Sequence, residues 1–528
     1  MSFTRAVVYL IGAGPGDPGL ITARGLQCLA SADVVLYDHL VNPRLLRFAR
    51  SGAERIDVGA SSPQPLEQEA ICYLLAEKAR EGKVVARLKW GDPFVFDRGG
   101  EEALFLHEQG VRFEVIPGVP AAIAVPSYAG IPVTYPGGGD ALTFIRGHED
   151  EGDALPHVDW QSLVRLKGTI VCYAGTRQLP GIVRALLTHG YPRDQPAAVI
   201  YGGTLPGQET IGGTLGDLDA LAKHPPSRTA AVLVVGRVAA FRAHLRWFDE
   251  RPLFGKRVLV TRTREQAGEL VDRLEALGAE AIEAPTIRLL PPEDYGPLDA
   301  ACAALSTFDW IVFTSANGVA AFMARLQAGP RDVRELKGVR LCAIGPATAD
   351  RLLQFGIKVD LTPAEYRAEG VVQALRATGS LEGVRVLLPR ADIARELLTE
   401  QLRQSGADVT DVTAYRTIVA EADGEGEPDV YRLLLDKRID VVTFTSASTV
   451  RNFVRIHGVD AAPDLLRSTQ VACIGPVTAE AAEQCGIHTA IMPDQYTIPA
   501  LVEAIVAYFS RVGRADDTAD PGGSGTDR

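Results

Sequence analysis

Short apolar runs alternate along the whole chain with longer stretches of helical periodicity. VVYLIGAG, ADVVLYD, VVARLKWG, TIVCYAG, RVLVTR, WIVFTSA and VVTFTSA have strand length, and most run into Gly, Asp, Ser or Arg. Strands alternating with helices predict an α/β fold with mostly parallel sheets. FDERPLFGKRVLV passes a Pro and a Gly and restarts with a strand, which puts a domain boundary near residues 248–255. The last stretch, ADDTADPGGSGTDR, is small and polar, and residues 511–528 are expected to form a disordered tail.

The second half of the chain repeats itself. FDWIVFTSANGVAAFM from Phe308 returns as IDVVTFTSASTVRNFV from Ile439. CAIGPATA from Cys342 returns as ACIGPVTA from Ala472, and PAEY at Pro363–Tyr366 as PDQY at Pro493–Tyr496. VLVTR and VLLPR, ending at Arg262 and Arg390, precede the other blocks of each copy. Matching blocks in one order at a nearly constant offset predict a duplicated α/β unit, too long for a solenoid repeat. Two similar lobes imply a cleft, where ligands bind by preference.

At ~150 residues per domain, 528 residues hold about three or four domains. A chain that is 46% hydrophobic and 23% charged is ordinary globular protein, which excludes collagen, coiled coil and wholesale disorder. No apolar run reaches the ~18–20 residues of a membrane span, and the first apolar run reads as a buried strand rather than a signal peptide. The net charge of −12 argues against non-specific binding to nucleic acid or to an anionic membrane. It leaves room for an anionic small substrate held by a few arginines. The seven cysteines lie far apart with no CxxC pair, so neither a zinc site nor a disulfide framework is expected, and no other metal site is. Reduced core cysteines imply a cytoplasmic address.

Gly12, Gly14 and Gly16 follow the first strand, where glycines let the backbone turn tightly and approach a ligand. Asp38 ends the next strand, where a dinucleotide site would place a ribose-binding acid. The spacing is GxGxG rather than GxGxxG, and Pro15 has no N–H to offer a pyrophosphate. Nucleotide-type binding, a plain tight turn and a dinucleotide site all remain open on these residues. LKWGDPFVFDRGGEE, from Leu88, runs a strand into a Gly-Asp-Pro loop that either faces a ligand or is a structural turn. Five prolines between Pro117 and Pro136 read as a rigid connection between two lobes.

GAGPGDPGLIT, ADVVLYDHLV, GDPFVFDRGGEE, EVIPGVPAAIAVPSYAGIPVT and RGHE, in this order, resemble the uroporphyrinogen III C-methyltransferases of the tetrapyrrole methylase family, over about residues 6–248. The resemblance implies a domain at 1–250 of two α/β lobes, about 1–116 and 117–250, with S-adenosylmethionine folded between them. It places cofactor contacts on Pro15, Gly91, Asp92, Val95, Pro120, Ala121, Ala174 and Gly203. It makes Asp38 the general base; on residues alone Asp38 is also a candidate helix cap. It further implies a homodimer formed through this half. The chain departs from the family pattern at Ala60, where a proton-donating Lys is usual, and at Trp90, where LKGGDP reads LKWGDP. It departs again at Ala174, in place of a Met, and at Tyr135-Pro136, in place of His-Arg. Trp90 and Ala174 could be a paired exchange of volume.

In the second half, Ser315 and Ser446 precede helices and read either as N-caps or as ligand hydroxyls in a cleft. RVLVTR, FDWIVFTSANGV, AIGPATA, VTAYRT, FTSAS and ACIGPVTA resemble uroporphyrinogen III synthase over about residues 254–510. The resemblance implies a domain at 251–510 of two lobes, one of 254–288 plus 422–510 and one of 291–417. The first strand–helix unit is swapped into the lobe made by the chain's end, and PTIRLL and AYRTIV form a linking ladder. It implies hydroxymethylbilane as substrate, closed with ring inversion and loss of water, and no cofactor. Tyr415 matches the cleft tyrosine, with a packed ladder tyrosine as the alternative. Arg262, Arg264, Ser315, Asn317, Arg390, Ser446 and Thr478 are the substrate-binding candidates.

The implied product of the second half, uroporphyrinogen III, is the implied substrate of the first. The expectation is a bifunctional enzyme making precorrin-2 on the way to sirohaem or cobalamin. The alternative is an active synthase carrying a non-catalytic methylase lobe as a binding or oligomerisation scaffold.

Overall fold

The computed structural model describes residues 6–50, 52–59, 65–138, 141–147, 155–221, 231–329, 331–392, 396–419, 429–459 and 461–518. The first five strands are β1 (Val7–Gly12), β2 (Val34–Tyr37), β3 (Glu54–Asp57), β4 (Val84–Lys89) and β5 (Phe113–Ile116). They form a parallel sheet in the order β3-β2-β4-β1-β5. The loops after β1, β2, β4 and β5 therefore leave from one edge, the edge at which parallel α/β sheets bind ligands.

A second sheet holds β6 (Leu142–Gly147), β7 (Thr169–Ala174), β8 (Pro196–Tyr201), β9 (Glu209–Thr214) and β10 (Ala231–Val235), in the order β6-β7-β10-β8-β9. Here β10 runs antiparallel to both neighbours. Alternation along β7 splits its side chains between two cores. Tyr173 packs with Ala121, Val125 and Val171, while Ala174 packs with Ile182, Leu186 and Leu233.

The second half has the strands β11 (Arg257–Val260), β12 (Glu280–Glu283), β13 (Ile287–Leu290), β14 (Trp310–Phe313) and β15 (Arg340–Ala343). They are followed by β16 (Arg385–Ala391), β17 (Asp408–Val419), β18 (Val441–Phe444) and β19 (Gln470–Cys473). Two sheets result, β12-β11-β18-β19 and β13-β17-β16-β14-β15. The first strand–helix unit thus sits in the sheet of the chain's end, and the hydroxyls of Thr261 and Thr443 tie the two strands by bonding to Thr443 O (2.7 Å) and Leu259 O (3.1 Å). The β13–β17 pair is the expected antiparallel ladder, with Leu289 opposite Thr417.

The duplication is visible atom by atom. Cys342 bridges Leu361, and Ala472 bridges Ile491. In each copy the tyrosine of the PxxY motif lies over the glycine of IGP: a Cβ on Gly345 would stand 3.3 Å from the Tyr366 ring, and one on Gly475 3.0 Å from the Tyr496 ring. The spacing of IGP and Tyr is therefore a packing contact.

By contacts the chain divides into two compact units. One is Met1–Val258 with Asp272–Ala281 and Val506–Arg528; the other is Leu259–Val271 with Ile282–Ile505. The expected polar tail is corrected in part, because the last helix, Ile498–Thr518, carries through its first residues. Residues 519–528 lie outside the described residues. Six of the seven cysteines are buried and none is in a disulfide. Among the described residues no helix is long and apolar enough to cross a membrane.

Candidate functional sites

In the first unit, the loops after β1, β4 and β5 are locked together through backbone. Gly14 and Gly91 exchange two hydrogen bonds, of 2.9 and 3.2 Å. A Cβ on Gly12 would stand 2.4 Å from Gly118 N and 2.7 Å from Gly91 O, so no side chain fits there. Gly91 has φ +69°, a conformation costly for any other residue. Asp92 staples the same loops: one oxygen accepts from Gly118 N at 3.0 Å, the other from Phe94 N at 2.8 Å. Its carboxylate builds the cradle, as the turn reading proposed.

Pro15, Gly91, Asp92, Val95, Pro120 and Ala121 lie on the loops and helix of this cradle. Pro15 and Val95 belong to its loops. Pro120 caps the helix Ala121–Tyr128, and a Cβ on Gly91 would face Pro120 and Ala121. Gly203 packs on Val125 of that helix, and Ala174 lies in register with Ala231 beside Tyr201. Trp90 donates its indole N–H to Pro15 O at 2.9 Å and meets the Tyr173 ring edge-on at 6.3 Å. The paired exchange of Trp90 with Ala174 is thus corrected: Trp90 packs on the core of Tyr173, and Ala174 points to the other face of β7. Ala60 and the His-Glu of RGHE lie outside the described residues.

Asp38 does not cap a helix through its side chain. Its carboxylate accepts from Arg87 Nη2 at 2.6 Å. Arg87 belongs to a charged cluster that the sequence reading missed. By alternation along VVARLK, Arg87 and Lys89 share the face of Val85, where both are 1% exposed. Glu102, 0% exposed, bonds both through one oxygen, to Arg87 Nε at 3.2 Å and Lys89 Nζ at 2.9 Å. Gln68 Nε2 reaches the same oxygen at 3.2 Å, and Lys89 Nζ also pairs with Asp97 at 3.1 Å. Buried charges are tolerated only when paired. Among the described residues Glu102 Oε2 has no hydrogen-bond partner, at a cost of ~1–3 kcal/mol if left so. The available signal was a pair of cations at alternate positions of an otherwise apolar central strand.

In the second unit a cavity of ≈ 670 Å³ opens between the helices Ala316–Ala328 and Pro346–Gln354 and the end of β17. Tyr415, Arg262 and Asn317 line it. Ser315 caps the first helix by accepting from Gly318 N at 2.9 Å and lies 3.1 Å from the Tyr415 hydroxyl. Ser315 is thus an N-cap that touches Tyr415 and does not itself line the cavity, whereas Tyr415 lines it from the ladder strand β17. Burial pushes the Tyr415 phenol up, Ser315 draws it down and Asp392 adds to the rise. Arg262 is bonded to Gln266, which reaches Asn317 at 3.2 Å. Burial lowers the Arg262 guanidinium from its ordinary value.

Three expected ligands take other roles. Arg390 forks onto Asp411, with Nε–Oδ1 at 2.7 Å, inside the fold. Ser446 sits in a capping box with Thr449, and Thr478 is buried in the first turn of Pro476–Glu483. None of the three lines the cavity. Arg264 opens a helix, but its side chain lies outside the described residues. The cavity adds Arg351, and Arg325, which forks onto Asp299 with Nη2–Oδ2 at 2.6 Å; the sequence reading passed over both.

Comparison with known proteins matches both halves. The family model for tetrapyrrole (corrin/porphyrin) methylases matches residues 7–219, and that for uroporphyrinogen-III synthase HemD matches residues 268–503. A porphyrin biosynthesis protein HemD of Ruminiclostridium josui is 36% identical over 505 residues, 94% of this chain and 97% of that protein. A uroporphyrinogen-III C-methyltransferase of Bacillus subtilis (strain 168) is 38% identical over 383 residues, 72% and 78% of the two chains. Among solved structures, uroporphyrin-III C-methyl transferase from Thermus thermophilus complexed with S-adenyl homocysteine is 35% identical, over 44% of this chain and 98% of that one, with a TM-score of 0.39. This chain belongs to the family that joins a tetrapyrrole methylase domain to a uroporphyrinogen-III synthase domain in one polypeptide.

Proposed function

We propose that the second half closes hydroxymethylbilane to uroporphyrinogen III and that the first half methylates this product twice, giving precorrin-2. The observation that carries the reading is the glycine cradle of Gly12, Gly91 and Gly118 beside an aspartate, Asp38, held by a buried arginine. The cradle's small residues and tight backbone suit the cofactor S-adenosylmethionine, which supplies the methyl group when bound. Asp38 then takes the proton that the methylated pyrrole carbon skeleton must lose. In the synthase half the arginines of the cavity meet substrate carboxylates, for which a guanidinium fork is suited. The Tyr415 O–H, held by Ser315, gives its proton to the departing hydroxyl, so that water leaves as the ring closes, and no cofactor is called for. The substrates are small tetrapyrroles, and the domain pair, cut near residues 250–251, works in the cytoplasm as a homodimer joined through the methylase half.

The scaffold reading draws support from Trp90, whose indole takes up the carbonyl of Pro15. Titrating S-adenosylmethionine into the full chain by calorimetry separates the two. Saturable binding is expected, and its absence would favour the scaffold.

A further inference from the structure

Gln266 bonds one residue from each sheet of the synthase unit. It lies in the first turn of the helix Arg264–Ala276, and its partner Arg262 follows β11. Its other partner, Asn317, opens the helix Ala316–Ala328 after β14. Arg262 Nη2 donates to Gln266 Oε1 at 3.4 Å, and Gln266 Nε2 donates to Asn317 Oδ1 at 3.2 Å. All three side chains are half-buried and line the cavity.

The order of donors and acceptors along this relay is forced. A guanidinium can only donate, so the Gln266 amide must turn its oxygen to Arg262. Its nitrogen is left for Asn317, which must answer with its own oxygen. The Asn317 NH2 is thereby turned away from Gln266, and among the described residues it bonds no partner.

We propose that Gln266 is a positioning residue that sets the polarity of this wall, so that Arg262 and Asn317 present donors alone and together take one carboxylate of the substrate. The proposal rests on the synthase reading for the identity of that substrate. Only a neutral amide accepts on one side and donates on the other while leaving the Arg262 charge to the ligand. Ser315, which touches the Tyr415 hydroxyl at 3.1 Å, is two residues before Asn317, so the carboxylate is held at the helix start that also holds the proton donor. Glu269 and Asp350 line the cavity too, but both are exposed, where solvent screens their repulsion of an anion.

A bridge that merely tied the two sheets together would make the same bonds, and two substitutions part the roles. Gln266→Glu keeps both bonds but accepts on both sides. It neutralises Arg262 and makes Asn317 turn its NH2 inward and its oxygen to the cavity. Gln266→Met breaks both bonds and leaves the Arg262 charge alone. Initial rates of hydroxymethylbilane closure are measured on the full chain without S-adenosylmethionine. Gln266→Glu should raise KM about ten- to hundredfold, the worth of one charge-assisted hydrogen bond, with kcat within about threefold. Gln266→Met should raise KM by less than about fivefold. Equal effects, or a larger rise in Gln266→Met, would leave Gln266 a bridge and overturn the proposal. Asn317→Asp keeps the bond to Gln266 and turns an oxygen to the cavity, so it should follow Gln266→Glu and replaces it if that variant does not fold. The parent's KM in Asn317→Asp would also overturn the relay. An unmutated chain that closes no hydroxymethylbilane would sink the synthase reading, and calorimetric titration with benzenehexacarboxylate then reads the wall by itself. Weaker binding in Gln266→Glu than in Gln266→Met would uphold the relay; equal binding, or none in the unmutated chain, would overturn it.

Discussion

Tyr415 carries a hydroxyl that touches Ser315 and faces the synthase cavity, and its raised ionisation keeps it a proton donor through neutral pH. Tyr415→Phe should slow ring closure by about 10²–10⁴-fold with the fold intact. A rate within about tenfold of the parent would strike Tyr415 from the mechanism. Arg390 makes the opposite case. Its strand-end position looked like that of Arg262, yet its partner is Asp411 and its place is inside the fold. Arg390→Met should cost about 1–3 kcal/mol, since Asp411 keeps Thr399 and some solvent. The KM for hydroxymethylbilane should hardly move in that variant, whereas Arg262→Met should raise it. Unfolding curves and initial rates on both proteins decide this. Sequence could not separate the two arginines, because a strand end fixes where a side chain begins and not which carboxylate it finds.

At the scale of elements, the strands were legible because apolar runs of strand length have few other uses. The repeat was legible because packing contacts such as Gly345–Tyr366 and Gly475–Tyr496 keep motif spacing constant. The cradle was legible as glycines, but its cause was not: Gly12 is required by the backbone of Gly118, over a hundred residues away. Gly12→Ala should therefore destabilise the methylase half by about 1–3 kcal/mol and weaken cofactor binding, seen together in thermal melts with and without S-adenosylmethionine. A melt unchanged in both conditions would mean the loops are looser than described. β4 was legible as a strand in VVARLKWG, but the burial of its Arg87 and Lys89 was not, because charges in a strand usually mark an exposed edge. Glu102 gives its cluster a pH signature. Its folded carboxyl sits below the unfolded one, so its stabilisation is present above the unfolded value, ~4.3, and lost as pH falls through the folded value. Glu102→Gln should lower stability at neutral pH and flatten that acid limb in melts taken across pH. A parallel downward shift at every pH would show that Glu102 acts by packing alone.

At the scale of the whole molecule, a tetrapyrrole methylase domain and a uroporphyrinogen-III synthase domain lie on one chain, and the proposed product of one is the proposed substrate of the other. On the proposed function, an anionic linear substrate accounts for Arg262 and Arg351 at one cavity of a protein of net charge −12. The most direct measurement gives the full chain hydroxymethylbilane, with and without S-adenosylmethionine, and separates the products by mass. The account predicts uroporphyrinogen III without the methyl donor, and with it a product heavier by two methyl groups in exchange for two protons. Uroporphyrinogen III as the sole product in both reactions would contradict it.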